Sequence, residues 1–253
     1  MTLAQALSCR FGYDPKKYVS GLINLLRPPD FSDESWSILA KVRRRTMTSP
    51  ERICALVESV RFIVRQNIPG SIVECGVWKG GSMMAAALAL ENLKDTDRDL
   101  HLFDTFEGMP RPTDDDVDLK GRLAARFFQK FRLAPDSSNF CRATIEEVRQ
   151  AMDSTDYPQS RVHFIKGRVE ETIPKFAPES IALLRLDTDW YESTKHELIH
   201  LFPRLSRRGI VIIDDYGHWR GARKAVDEYF AETGHPVFLS RVDYTARVAV
   251  KLD

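Results

Sequence analysis

The chain has 253 residues, of which 43% are hydrophobic, and a formal net charge of +1. That length suits one large α/β domain with a small extension, and the apolar content is enough for a sizeable core. The near-neutral charge excludes a general electrostatic case for nucleic acid or an anionic membrane as partner.

Residues 1 to about 50 read as short, partly amphipathic helices broken at Pro28-Pro29. They are expected to form a helical extension or lid, with residues 51–253 as the main domain. The run Lys41-Val42-Arg43-Arg44-Arg45 reads as a solvated helix face. Ser49-Pro50 starts a helix, with Ser49 as N-cap and Pro50 in the first turn. Ile53, Leu56, Val57, Val60 and Ile63 follow at helical spacing, and Pro69-Gly70 is expected to end it. A strand at Ser71 to Cys75 leads through a glycine turn into a helix from about Ser82 to Leu93. The next strand, Leu100 to Phe103, ends in Asp104. A long polar stretch runs from Glu107 to about Asp136. A helix near Thr144 to Met152 precedes a strand at Val162 to Ile165. Strands Ile181 to Leu186 and Gly209 to Ile213 follow, each with a helix after it. Pro236 to Ser240 and Ala246 to Lys251 read as a closing hairpin. Strands alternating with helices imply a doubly wound, mostly parallel sheet.

Cys9, Cys54, Cys75 and Cys141 have no paired spacing and read as free thiols of a reducing compartment. The N-terminus lacks the apolar stretch of a signal peptide, and the apolar run Met83 to Leu90 is too short to span a bilayer. The expectation is a soluble cytoplasmic protein with no membrane partner.

Four aspartates carry the functional signal. Asp187-Thr188-Asp189 closes one apolar strand, and Asp214-Asp215 closes the other. Near-continuous apolar strands suit a parallel sheet covered on both faces, and such sheets bind ligands at the strands' carboxyl ends. Helix N-caps account for one aspartate per strand but not for all four. Clustered carboxylates repel one another, and a hard, oxygen-liking cation relieves that repulsion. Asp187 and Asp189 are two apart, so they share a side for as long as the strand stays extended.

The glycine turn, Glu74-Cys75-Gly76-Val77-Trp78-Lys79-Gly80-Gly81-Ser82, fits neither the dinucleotide fingerprint nor the P-loop. Glu74 would repel a phosphate and attract a cationic amino group. Asp104, ending the next strand, suits ribose hydroxyls. Together they favour a nucleoside ligand without a pyrophosphate, a description that S-adenosylmethionine meets. His196-Glu197-Leu198-Ile199-His200 matches the HExxH zinc-peptidase pattern. It falls on the crossover helix between the two aspartate strands, away from the expected crevice, and no third histidine follows in the metzincin pattern. An amphipathic helix is the better reading. His101 and His163 read as packing residues. A non-catalytic nucleoside-binding protein is a further alternative, but binding alone has no need of four carboxylates.

Four segments in order resemble the macrocin O-methyltransferase family, which includes mycinamicin and novobiocin sugar O-methyltransferases. They are Glu74 to Gly81, Phe103-Asp104-Thr105-Phe106-Glu107-Gly108-Met109-Pro110, Leu186-Asp187-Thr188-Asp189-Trp190-Tyr191 and Ile213-Asp214-Asp215-Tyr216. The resemblance runs from about Thr46 to about Tyr229. It implies a class I methyltransferase (Rossmann-like) fold with a C-terminal antiparallel strand, S-adenosylmethionine as donor, and magnesium. It also implies a glycoside or saccharide acceptor; a phenol or catechol, which also presents paired oxygens, is the alternative. The metal ligands it implies are Asp187, Asp214 and Asp215, and the general base is Asp189, although Asp187 and Asp189 could exchange roles. It places cofactor contacts on Glu74, Gly76, Ser82, Asp104 and Phe106, with Thr46 and Met47 closing over the cofactor. Pro110 to Asp136 would be the acceptor lid. A homo-oligomer, dimer or larger, is implied too, with the helical N-terminal segment as its interface.

Overall fold

In the computed structural model, which describes residues 27–252, the apolar runs of the sequence form the middle of a seven-stranded sheet. Its strands are β1 (Ser71–Cys75), β2 (Leu100–Asp104), β5 (Val162–Lys166), β6 (Ile181–Leu186), β7 (Leu205–Ile213), β8 (Ser240–Arg241) and β9 (Arg247–Val250). A separate two-stranded ribbon holds β3 (Arg132–Ala134) and β4 (Ser137–Ser138). The sheet order is β5-β2-β1-β6-β7-β9-β8, parallel from β5 to β7, with β9 antiparallel to β7. This is the doubly wound, mostly parallel sheet expected from the sequence, in the class I methyltransferase order that the family resemblance implied. The order reverses between β1 and β6, which makes that junction the switch point where a crevice opens. Cys75 pairs with Phe103 and with Leu186, and Leu186 pairs with Ile213. Register therefore brings Gly76, Asp104, Asp187 and Asp214 to one edge of the sheet.

Alternating residues on the strands feed two cores. Ile72, Leu100, Leu102, Leu183, Ile210 and Ile212 face one side. There they meet α1 (Asp33–Val42), α2 (Pro50–Arg65), α3 (Gly81–Leu93) and α5 (Ile145–Asp153). Val73, Cys75, Phe103, Leu184, Leu186, Val211 and Ile213 face the other side. It is covered by α6 (Val169–Thr172), α7 (Tyr191–Leu201) and α8 (Arg220–Thr233). With α4 (Ala124–Phe131), the described residues hold eight α-helices. Helix α3 is buried almost all round because α1, α2 and α5 pack on it as well as the sheet, so its sequence shows no polar face. Ser49 caps α2 as expected, accepting the Arg52 N–H at 3.2 Å.

Several boundaries differ from expectation. Helix α2 stops at Arg65, before Pro69-Gly70, because the chain turns at Asn67 with φ 51°. Strand β7 begins four residues early, its pairing to β6 continuing across a register shift, with Arg208 at φ 67°. The closing hairpin forms, but its first strand is only Ser240–Arg241. The polar stretch after Glu107 contains α4, which was not expected there although its Ala124, Phe127, Phe128 and Phe131 recur at helical spacing. The basic run is mixed: Val42 is buried, and Arg43 and Arg45 line a cavity. Cys54, Cys75 and Cys141 are free thiols, as expected. Cys9 and most of the expected N-terminal helices and interface lie outside the described residues. No helix of the described residues is long and apolar enough to cross a membrane.

Candidate active site

A cavity of about 1090 Å³ opens over the carboxyl ends of the central strands. One wall is the glycine turn. Gly76 has φ 83°, and a Cβ there would lie 2.0 Å from the Asp187 carbonyl oxygen, so only glycine lets β1 and β6 close up at the switch point. Asp104 braces the turn. Its Oδ2 accepts the N–H groups of Val77 and Trp78 at 2.7 and 3.0 Å, and its Oδ1 accepts that of Phe106 at 2.7 Å. Burial pushes the Asp104 carboxyl above its usual range even against these donors. Of the residues expected to meet a cofactor, Thr46, Met47, Gly76, Ser82 and Asp104 line this cavity. Glu74 and Phe106 do not. Phe106 packs its ring into the core, and Glu74 is fully buried against Arg185.

The floor is acidic. One carboxylate oxygen each from Asp187, Asp214 and Asp215 lie within 4.8 Å of one another. Asp189 stands beside them rather than among them, because the chain leaves the extended conformation at φ 67° there. Its N–H donates to Asp215 Oδ2 at 3.2 Å. Two arginines, which sequence reasoning missed, hold this floor. Arg185 donates to Glu74, to Asp187 Oδ2 at 2.7 Å and to Asp214 Oδ1 at 2.7 Å. Arg52, from α2, pairs with Asp214 and with Asp243. A signal existed: Arg185 is the one charge inside an apolar strand, and it lies in register with Glu74 on β1.

Charge and burial oppose each other across this floor. Burial would raise Asp214, but Arg185 and Arg52 outweigh it and hold the carboxyl below its usual range. Burial pushes Asp187 well up against the pull of Arg185, with the charges of Asp214 and Asp215 adding to the rise. Asp215 is raised by burial and by Asp189 and Asp214. Asp189 is pushed up to about 7 by burial, its hydrogen bond with Asp215 opposing the rise and the charges of Asp187 and Asp214 adding to it. Burial likewise brings Glu74 to about 7 despite Arg185. Among the described residues, the carboxyls of Glu74, Asp187, Asp189, Asp214, Asp215 and Asp243 thus share two guanidinium groups as ion-pair partners. A floor so short of positive charge, with three oxygen donors converging, fits a hard divalent cation.

Aromatic rings adjoin the acidic floor, with Phe127 and Trp219 lining the cavity and Trp219 meeting the Asp189 side chain. Trp219 stands edge-on to Trp190 at 5.0 Å and to Phe127 at 6.4 Å, and the Trp190 indole donates to the Pro110 carbonyl at 3.1 Å. His218, the histidine nearest the acidic floor in sequence, lines the cavity and meets the Tyr244 hydroxyl at 3.3 Å. The expected acceptor lid is strapped to both neighbouring helices. Buried Asp116 accepts the Tyr191 N–H at the start of α7 at 2.7 Å, and the Arg220 N–H at the start of α8 donates to Val117 at 2.8 Å.

The HExxH residues lie apart from the cavity. His196 Nε2 meets the Ile173 carbonyl at 3.0 Å, while Glu197 turns into the core. Among the described residues, the group suited to a metal is the aspartate trio.

The family model described as Macrocin-O-methyltransferase (TylF) matches residues 36–250. The chain is 33% identical over 189 residues to demethyldecarbamoylnovobiocin O-methyltransferase of Streptomyces niveus, covering 74% of this chain and 68% of that one. It is 34% identical over 202 residues to 8-demethyl-8-(2,3-dimethoxy-alpha-L-rhamnosyl)-tetracenomycin-C 4'-O-methyltransferase of Streptomyces olivaceus, covering 79% and 73%. It is 31% identical over 219 residues to mycinamicin III 3''-O-methyltransferase of Micromonospora griseorubida, covering 87% and 83%. The solved structure of the O-methyltransferase NovP superposes with a TM-score of 0.72 at 29% identity over 83% of each chain. The chain therefore belongs to the macrocin O-methyltransferase family and is a methyltransferase.

Proposed function

We propose that this enzyme moves the methyl group of S-adenosylmethionine to a sugar hydroxyl of a glycosylated natural product or saccharide, with magnesium on the aspartate trio. The observation that carries this reading is that the trio, with Asp189 beside it, shares one cavity with the glycine turn. A donor held at the turn and an alcohol held at the floor would be neighbours. The sugar acceptor is supported by the names of the relatives, one of which specifies a rhamnosyl substituent.

Methyl transfer to an alcohol needs the two reactants held in line, and that alone supplies much of the acceleration. The harder problem is the proton. An alcohol taken as water-like has a pKa about 12 units above an ordinary aspartate, a gap of roughly 16 kcal/mol. Asp187, Asp214 and Asp215 would hold magnesium, which when bound would supply Lewis acidity that lowers the pKa of the acceptor hydroxyl. Asp189, the carboxyl beside the trio, is the residue to take the proton. Arg185 and Arg52 keep Asp214 ionised and fixed. Thr46, Met47, Gly76, Ser82 and Asp104 offer the donor its site. Trp219 and Phe127 give the acceptor an apolar wall that keeps water out. The N-terminal extension, with Thr46-Met47-Thr48 on the cavity, acts as the cover on the donor side.

The first test is calorimetric titration of S-adenosylhomocysteine in magnesium and then in chelator, followed by a panel of glycosides and catechols with S-adenosylmethionine. Micromolar binding and magnesium-dependent methylation of a glycoside are expected. No binding in either condition, or transfer to catechols alone, overturns the reading.

A further inference from the structure

Glu197 is the glutamate of the HExxH segment, and the reaction described above makes no use of it. It sits on α7 with no exposed surface, on the face that also buries Leu198 and Leu201. Neither of its carboxyl oxygens makes a hydrogen bond of normal geometry. The groups beside it are the Thr188 hydroxyl and the Cys75 thiol. The Thr188 hydroxyl is itself buried and lacks a partner of normal geometry. An unpaired polar group in an apolar core is costly, because it gives up its bonds to water for nothing. Two such groups face each other under the one turn that carries both Asp187 and Asp189.

The turn has other fixed points. The Asp187 N–H donates to the Cys75 carbonyl at 2.9 Å, and the Trp190 N–H to the Thr188 carbonyl at 2.8 Å. These set its backbone. From the core, the Glu197 carboxyl reaches the Thr188 hydroxyl, and the Cys75 thiol lies against Glu197. Burial drives the Glu197 carboxyl toward its neutral form, with an O–H to donate and a carbonyl to accept.

We propose that Glu197 is a positioning residue for methyl transfer: from beneath the turn its buried carboxyl holds the Thr188 hydroxyl, and so sets the direction in which Asp187 and Asp189 face the cavity. The inference rests on the roles proposed above for those aspartates. The surrounding core would accept a leucine at 197, so packing alone gives no reason for a carboxyl. Glutamine keeps the shape, a donor and an acceptor, whereas leucine keeps only the bulk.

The test compares Glu197→Gln, Glu197→Leu, Thr188→Val and the double variant Glu197→Leu/Thr188→Val in the full chain. Infrared difference spectra, wild type minus Glu197→Gln, should show one neutral carboxyl band, and Thr188→Val should shift it. Absence of that band, or its indifference to Thr188→Val, overturns the proposal whether or not an acceptor has been found. With the glycoside methylated by the wild type, Glu197→Leu and Thr188→Val should each lower kcat at least tenfold, with S-adenosylhomocysteine affinity unchanged. A positional error near 1 Å is enough for a loss on the order of 100-fold. The double variant should be no worse than either single one, and Glu197→Gln should stay within about threefold of wild type. Additive losses, a folded Glu197→Leu with full kcat, or a Glu197→Gln as poor as leucine overturns it. A wild type with no metal-dependent transfer counts against the reading of the aspartates, while the infrared result still decides the Glu197–Thr188 contact.

Discussion

Gly76 and Asp187 meet back to back across the switch point, with 2.0 Å between the Asp187 carbonyl oxygen and the Cβ that glycine lacks. The contact joins the cofactor side of the cavity to the acidic side, so one backbone position governs both. Gly76→Ala places a methyl group in that gap at a φ of 83°. The left-handed conformation alone costs an L-residue about 1–2 kcal/mol, and displacing β6 adds to it. The expected result is a stability loss of at least about 2 kcal/mol in urea denaturation, with S-adenosylhomocysteine affinity down tenfold or more. An alanine variant with unaltered stability and affinity would show that the two strands can part freely.

Asp189 offers a cleaner separation of chemistry from binding. Asparagine keeps its size and leaves untouched the backbone N–H that donates to Asp215. Asp189→Asn should lower kcat by about 10²–10⁴, the usual contribution of a general base, with cofactor affinity within about twofold of wild type. Turnover at the wild-type rate would move the base elsewhere, Asp187 being the next residue to examine.

Arg185 should prove structural as well as electrostatic. Its side chain is 4% exposed, and it bridges Glu74, Asp187 and Asp214. Breaking a buried pair by removing one partner costs about 3–5 kcal/mol, because the other charge stays buried. Arg185→Met should lose that much stability in denaturant titration. Glu74→Gln/Arg185→Met should recover part of it, since one of the stranded carboxyls is then gone. A double variant less stable than the single one would mean that Glu74 has a second partner.

Acid sensitivity should have one source far from the cavity. His101 and His163 pair across β2 and β5, with ring centroids 4.7 Å apart. Burial, with the His163 charge beside it and Asp99 opposing, brings His101 down to about 4. The folded pKa lies below the unfolded value of about 6.5, so the unfolded chain takes up the proton first. The neutral ring's contribution is therefore complete above about pH 6.5 and is lost as pH falls toward 4. Urea midpoints for His101→Leu should fall less between pH 7 and pH 4.5 than those of wild type. Parallel pH profiles would assign the acid limb to other groups.

The sheet was legible because its signal is local. An apolar run bounded by turn residues can be read without knowing what lies beside it, so β1, β2, β5, β6 and the core of β7 were all visible in the sequence. The aspartates were visible for the same reason, since each pair closes such a run. Helix α4 and the early start of β7 were not visible. The first carries its period, Ala124, Phe127, Phe128 and Phe131, over only 8 residues set in a long polar stretch, and the second depends on pairing across a register shift that involves another strand.

The sequence by itself determined the layered α/β architecture and the acidic strand ends, because hydrophobic period and chain order act over a few residues. Only the tertiary structure decided how those carboxyls are shared. Asp187 joins Asp214 and Asp215, and Asp189 stands aside, because the chain turns left-handed at Asp189 instead of staying extended. Glu74 turns from the cavity because Arg185 lies in register with it, and Arg52 reaches Asp214 from a helix 162 residues away in sequence. Those outcomes depend on which distant charges share one low-dielectric space, and burial and pairing across strands are properties of the packed chain.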